Sequence, residues 1–168
     1  NVTPAGAGAP PPSVLDIGPV ALANNRAYTA VVFNELAAIE ALPLVDDLSS
    51  TGTGNIRLRP IHVAPDVGEV DIWDVTDPEN PDLLYENFDF RDVGAYADVP
   101  AGSYTLGFDV DNDEVPDLSF ETGDIDAGSI LNIFAVNDAA DPTDVFLIAQ
   151  FLDGTTVRID PAPMIDPM

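Results

Sequence analysis

Lysine and cysteine are both missing from this 168-residue chain, and histidine and tryptophan occur once each. Every basic residue is an arginine: Arg26, Arg57, Arg59, Arg91 and Arg158. Against those five stand 30 acidic residues, a formal charge of −25. A surface of that sign repels phosphate backbones and anionic headgroups, so no nucleic-acid partner and no membrane-surface role is expected. Without cysteine there is no disulfide, no thiolate zinc site and no cysteine nucleophile. No apolar run approaches the roughly 18 residues that a membrane-spanning helix needs, so no membrane insertion is expected. What the chain does have is apolar bulk: 46% of its residues are aliphatic or aromatic, enough to fill a core and too much for a disordered acidic tail.

The length suits one well-filled domain with a part of another. Residues 1–12, NVTPAGAGAPPP, read as a Pro/Gly-rich extended leader. Beyond them, short apolar stretches alternate with polar residues and are bounded by Gly, Pro, Asp and Asn: RAYTAVVF, NIRLRPIHV, VDIWDV, SYTLGFDV, DLSFET, ILNIFAV, VFLIAQFL and TTVRID. Such a series predicts an all-β protein, an antiparallel Ig-like Greek-key β-sandwich. The one helix-like stretch, NELAAIEALPLV (34–45), is cut by Pro43 and reads instead as a turn and a strand. Phe88 and Phe90, alternating in FDF, read as core residues on one strand face.

Two segments resemble each other: Val14–Ser49 and Leu118–Thr155. Both run strand, turn, a strand ending in Phe-Asn or Val-Asn, an Ala-rich loop, then an apolar strand closed by Asp. The organisation expected is a leader (1–12), a partial β-unit (13–50), a complete unit (55–160) and a tail (161–168). A half-unit cannot bury its apolar face alone. It must pack on the complete unit, borrow strands from another molecule, or belong to a fuller protein. The start at Asn1, without a basic, apolar leader, agrees with a mature or excised segment of something larger.

The order of an Arg-x-x-His strand (Arg59 to His62), a Pro65-Asp66 turn, Val70-Asp71-Ile72 and then Val99-Pro-Ala-Gly-Ser-Tyr-Thr105 resembles a family of secreted bacterial and archaeal β-sandwich repeats. That family is known only as a domain of unknown function and often occurs in tandem copies in surface proteins. The resemblance implies a β-sandwich and an extracellular or cell-surface location, and brings no catalytic residues with it.

Residues 109–117, DVDNDEVPD, place Asp109, Asp111, Asp113 and Asp117 at alternate positions of a tight hairpin. Calcium takes about 6–8 oxygens, and carboxylates so spaced can turn inward around one point, with the Val115 carbonyl as a further ligand. The stretch is similar to the D-x-D-G-D-x-x-x-D calcium loops of integrin-type propeller repeats, with Asn112 and Glu114 where those loops favour glycine. The competing reading is a solvated acidic hairpin tip. Four crowded carboxylates repel, and no lysine exists to neutralise them, so a structural Ca2+ is the expected cofactor. A second acidic group, Asp138, Asp141 and Asp144, reads mainly as turn chemistry.

His62 has no nucleophile-elbow serine to serve, so it reads as a structural residue bonded to backbone or carboxylate, and the chain is not expected to be an enzyme. Trp73, between Asp71 and Asp74 in near sequence, is the candidate exposed aromatic should there be a glycan site. The function expected is an extracellular structural or adhesive repeat whose partners are copies of itself or neighbouring repeats. Its strand-exchange residues would be Val14, Leu15, Ile17, Val20 and Leu22. The rival expectation is a glycan- or protein-binding module of a secreted protein.

Overall fold

The computed structural model describes Leu15 and residues 21–34, 36–138 and 140–162. The chain divides into two compact units, Asn1–Ser49 and Ser50–Met168. In the first, β1 (Ala27–Phe33) and β2 (Glu40–Asp46) form an antiparallel hairpin in unbroken register from Ala27↔Asp46 to Phe33↔Glu40. Between them the Ala-rich stretch manages only a 3-10 turn, Leu36–Ala38. Pro43, with no N–H and a ring that clashes with the preceding turn, bars a helix there, and the apolar alternation takes over as a strand.

The second unit is a β-sandwich of two five-stranded sheets. Its strands are β3 (Asn55–His62), β4 (Val70–Asp74), β5 (Asp82–Phe88), β6 (Ala97–Pro100), β7 (Thr105–Asp109), β8 (Leu118–Glu121), β9 (Ile130–Asn137), β10 (Val145–Phe151), β11 (Thr156–Ile159) and β12 (Pro161–Ala162). One sheet runs β11-β10-β9-β3-β6 and the other β12-β8-β7-β4-β5. Antiparallel pairing dominates, as the alternating pattern predicts; β3 lies parallel to β9, from Arg57↔Ile130 to His62↔Ala135. The inward residues of both sheets, among them Ile56, Ile72, Phe108, Phe120, Leu131 and Leu147, form one buried cluster. Phe108 and Phe120 meet across β7 and β8 with ring centroids 5.0 Å apart.

The outer face of the first sheet carries an unusual load of buried polar groups. Arg59 donates from Nε to Asn132 Oδ1 at 2.9 Å and lies over the Tyr96 ring, 4.3 Å from its centroid. Arg57 forks onto Asp98 with Nε and Nη2 at 2.6 and 2.8 Å, a bidentate geometry that lysine cannot make. Phe88 sits in the core as the alternation predicts, whereas Phe90 does not share its strand. The strand ends at Phe88, just after Asn87 takes a left-handed φ of 55°, and Phe90 falls in the following turn with its ring edge-on to His62. The only helix among the described residues is the short 3-10 turn, and none is long and apolar enough to cross a membrane.

Candidate metal centre

Strand β7 ends at Asp109, which is fully buried, and the chain turns back into β8 after Asp117. The loop folds around the Asp109 carboxylate. Its Oδ1 accepts from the N–H of Asn112 at 2.8 Å and, at greater length, from those of Asp111 and Asp113; its Oδ2 accepts from Glu114 N–H at 2.8 Å. Asp117 closes the ring, accepting from Val110 N–H at 2.8 Å while its own N–H bonds Phe108 O. To let successive N–H groups face one carboxylate, the backbone goes left-handed at Asn112 (φ 58°) and Glu114 (φ 69°). Asparagine tolerates that conformation; glutamate does so at a cost on the order of 1–3 kcal/mol.

One carboxylate oxygen each from Asp109, Asp111 and Asp117 lies within 4.8 Å of the other two. Two oxygens bound to one calcium at roughly 2.3–2.6 Å are at most about 5 Å apart, so this trio suits a metal ion. Asp113 is outside it: its Oδ1 accepts from Val115 N–H at 2.9 Å, a turn within the loop. Val115 itself is an exposed residue of that turn. The Asp113 carboxylate, reduced hydration, and then Asp117 and Asp109 hold the Asp111 carboxyl above its ordinary value. A bound cation would remove that repulsion. Two features had no local signal in the sequence. Glu69 reaches the loop from far away in the chain, accepting from Asn112 Nδ2 at 3.4 Å. Gly107 lies flat under Pro116, where an added Cβ would come within 2.7 Å of the proline ring.

The match to known families falls elsewhere in the chain. Residues 2–73 match a family described as a domain of unknown function (DUF4397). The matched stretch takes in the β1–β2 hairpin, β3 with its Arg59-x-x-His62 pattern, and β4 as far as Trp73. Val99–Thr105 and the acidic loop lie beyond it. No curated protein matches the chain.

The remaining predicted residues are scattered. Asp138 and Asp141 each accept from the N–H two residues on, Ala140 and Thr143, in turn geometry, and Asp144 pairs with Arg158 of β11 at 3.4 Å. Trp73 is half-buried, and its buried Nε1 meets no acceptor among the described residues. Of the strand-exchange residues, Leu15 sits half-buried at an isolated bridge and Leu22 is exposed, whereas Val14, Ile17 and Val20 lie outside the described residues. An apolar cleft of about 150 Å³ opens between β5 and β6, lined by Leu58, Leu84, Val99, Leu106 and Ile133. The tyrosines beside it are already engaged, Tyr85 donating to Ala95 O and Tyr104 to Pro100 O.

His62 is buried, with Nε2 3.1 Å from Gly68 O and Nδ1 accepting from Ala64 N–H at 3.3 Å. An acceptor role for Nδ1 leaves Nε2 as the donor, which is the neutral ring. Burial holds the imidazole below its ordinary value, against the opposing pull of the Gly68 carbonyl and of Asp89 and Asp92. The unfolded chain therefore takes up a proton near pH 6.5 while the native ring does not, and stability must fall as pH drops through that region. His62 is the sole histidine, so little else titrates there. Urea unfolding at pH 7.5 and 5.5 is expected to give the lower midpoint at 5.5; equal midpoints, or a rise, would refute the neutral buried ring.

Proposed function

We propose that this chain serves as an extracellular structural repeat, a non-enzymatic β-sandwich module stiffened by Ca2+ in its β7–β8 hairpin. The observation that carries the reading is the Asp109/Asp111/Asp117 trio, held by a loop already wound left-handed around a buried carboxylate. Hard carboxylate oxygens without a fixed octahedral arrangement favour calcium over magnesium, which wants stricter octahedral geometry and keeps its water. A strongly acidic, lysine-free surface suits a calcium-rich external medium, where bound cations offset its own repulsion. The sole histidine has both nitrogens committed to backbone, which speaks for a structural rather than a general-base role.

Thermal unfolding with excess calcium and with a chelator tests this. A ligand that binds only the native state raises stability with the logarithm of its concentration over Kd, about 2.7 kcal/mol at one hundred times Kd. We expect the midpoint to rise with calcium in the parent and to be indifferent to it in an Asp111→Asn, Asp113→Asn double variant. A parent that does not respond would reduce the loop to an acidic hairpin.

A further inference from the structure

The two hairpins, β1–β2 and β9–β10, can be laid on each other through their own registers. Ala27 falls on Ile130 and Asn34 on Asn137; past a turn of different length, Glu40 falls on Phe146 and Asp46 on Leu152. Cross-strand pairs then coincide: Tyr28/Val45 with Leu131/Phe151, Ala30/Pro43 with Ile133/Ala149, and Val32/Ala41 with Ala135/Leu147. The approach to each hairpin coincides as well. Asn25 (φ 59°) falls on Gly128 (φ 88°), so both turns go left-handed at the same place.

What differs is the cover. Leu131, Ile133, Ala135, Leu147 and Ala149 are all core residues of the sandwich. Of their counterparts on the first hairpin, Ala30 and Pro43 are exposed and Val32 is 47% exposed, while Tyr28 and Ala41 are only half-buried. Leu22, counterpart of the core residue Ile125 at 6%, is 67% exposed. Single exposed apolar residues need no explanation. A set that repeats a buried face position by position does.

The second hairpin shows what belongs there. Its β9 is flanked by β3 in parallel, and its inward face is covered by β4, β7 and β8. We propose that the Leu22, Tyr28, Ala30, Val32 and Pro43 face closes a second sandwich, completed by a sheet of the β3–β8 kind carried ahead of the hairpin in the same polypeptide. In it an Arg-x-x-His-type strand lies parallel to β1 on the side away from β2. The chain's own β3 is already paired with β9 and cannot fill this place. The inference rests on the reading of the chain as a repeat module and is independent of calcium.

The test is an extended chain in which a second copy of residues 50–123 is joined directly ahead of Ala21, studied in chelator so that the metal reading plays no part. The m-value of urea unfolding, which scales with the surface exposed, is expected to rise by roughly the share the sandwich contributes now, and a Val32→Asp change in the extended chain should abolish the gain. The same extension with residues 124–153 in place of 21–47 is the folding control. A control that folds beside a graft that does not, or a folded graft indifferent to Val32→Asp, overturns the proposal. Should the control itself fail to fold, the unmodified chain decides. A synthetic peptide of residues 55–63 in excess is expected to shift the Ala30 and Val32 amide resonances and leave Ile133 in place, and no shift overturns the proposal. Self-association of the unmodified chain that Val32→Asp abolishes would give this face to a second copy and overturn it equally.

Discussion

Asp109→Ala is expected to destabilise the fold by about 3 kcal/mol in chelator and to abolish any response to calcium. The carboxylate is fully buried and is the common acceptor for the N–H groups of Asp111, Asn112, Asp113 and Glu114. Hydrogen bonds to a charged group contribute about 1.5–3 kcal/mol each, but these donors sit on an exposed loop where water replaces part of what is lost. Two of the four are also long. Removing a charge from an acidic cluster acts the other way, yet the neighbouring carboxylates are exposed and screened within a Debye length of about 8 Å. Lost bonds at the buried acceptor should therefore win. Asp111→Asn separates the two effects, because that side chain is exposed and held above its ordinary value chiefly by Asp113. In chelator it is expected to stabilise slightly, and in calcium to destabilise relative to the parent. If Asp109→Ala cost nothing measurable in urea unfolding, the loop would not be organised by that carboxylate.

Much of the sandwich was legible because its central strands are short apolar stretches bounded by turn residues, with β9 buried on both faces. NIRLRPIHV, ILNIFAV and VFLIAQFL became β3, β9 and β10 nearly residue for residue. The longer strands that escaped, β5 and β6, are both sheet edges. In β5, DLLYENF, adjacent Leu83 and Leu84 break the period of two, and both are exposed because the pairing with β4 shifts register there. The four-residue β6 is too short to show a period at all. In the acidic loop, the spacing named Asp109, Asp111 and Asp117, which come together, and also Asp113, which does not. Sequence spacing fixes neither where a left-handed residue turns the chain nor which carboxylate is spent on a local turn. Glu69 was invisible for a simpler reason: only the pairing of β4 with β7 brings that part of the chain beside the loop.

Ile125→Asp should unfold the protein at room temperature, while Leu22→Asp should shift stability by less than about 0.5 kcal/mol. The two positions are counterparts in the repeated segment, each ahead of a left-handed turn and an apolar strand. Ile125 lies in the core cluster with its backbone bridged to Gly102 on both sides, so an aspartate there is an unpaired charge among apolar side chains with no cation to meet it. Burial of that kind costs more than about 4 kcal/mol, much of a typical domain's stability of about 5–15 kcal/mol. Leu22, 67% exposed, can turn a carboxylate straight into water, where surface substitutions stay within about 0.5 kcal/mol. Urea midpoints of the two variants measure the contrast directly. Equal losses would mean that the first hairpin already has its cover, whereas the expected disparity would leave position 22 at the surface of the chain as it stands. In the extended chain the same Leu22→Asp change should then become costly, because the residue would pass from water into the second sandwich.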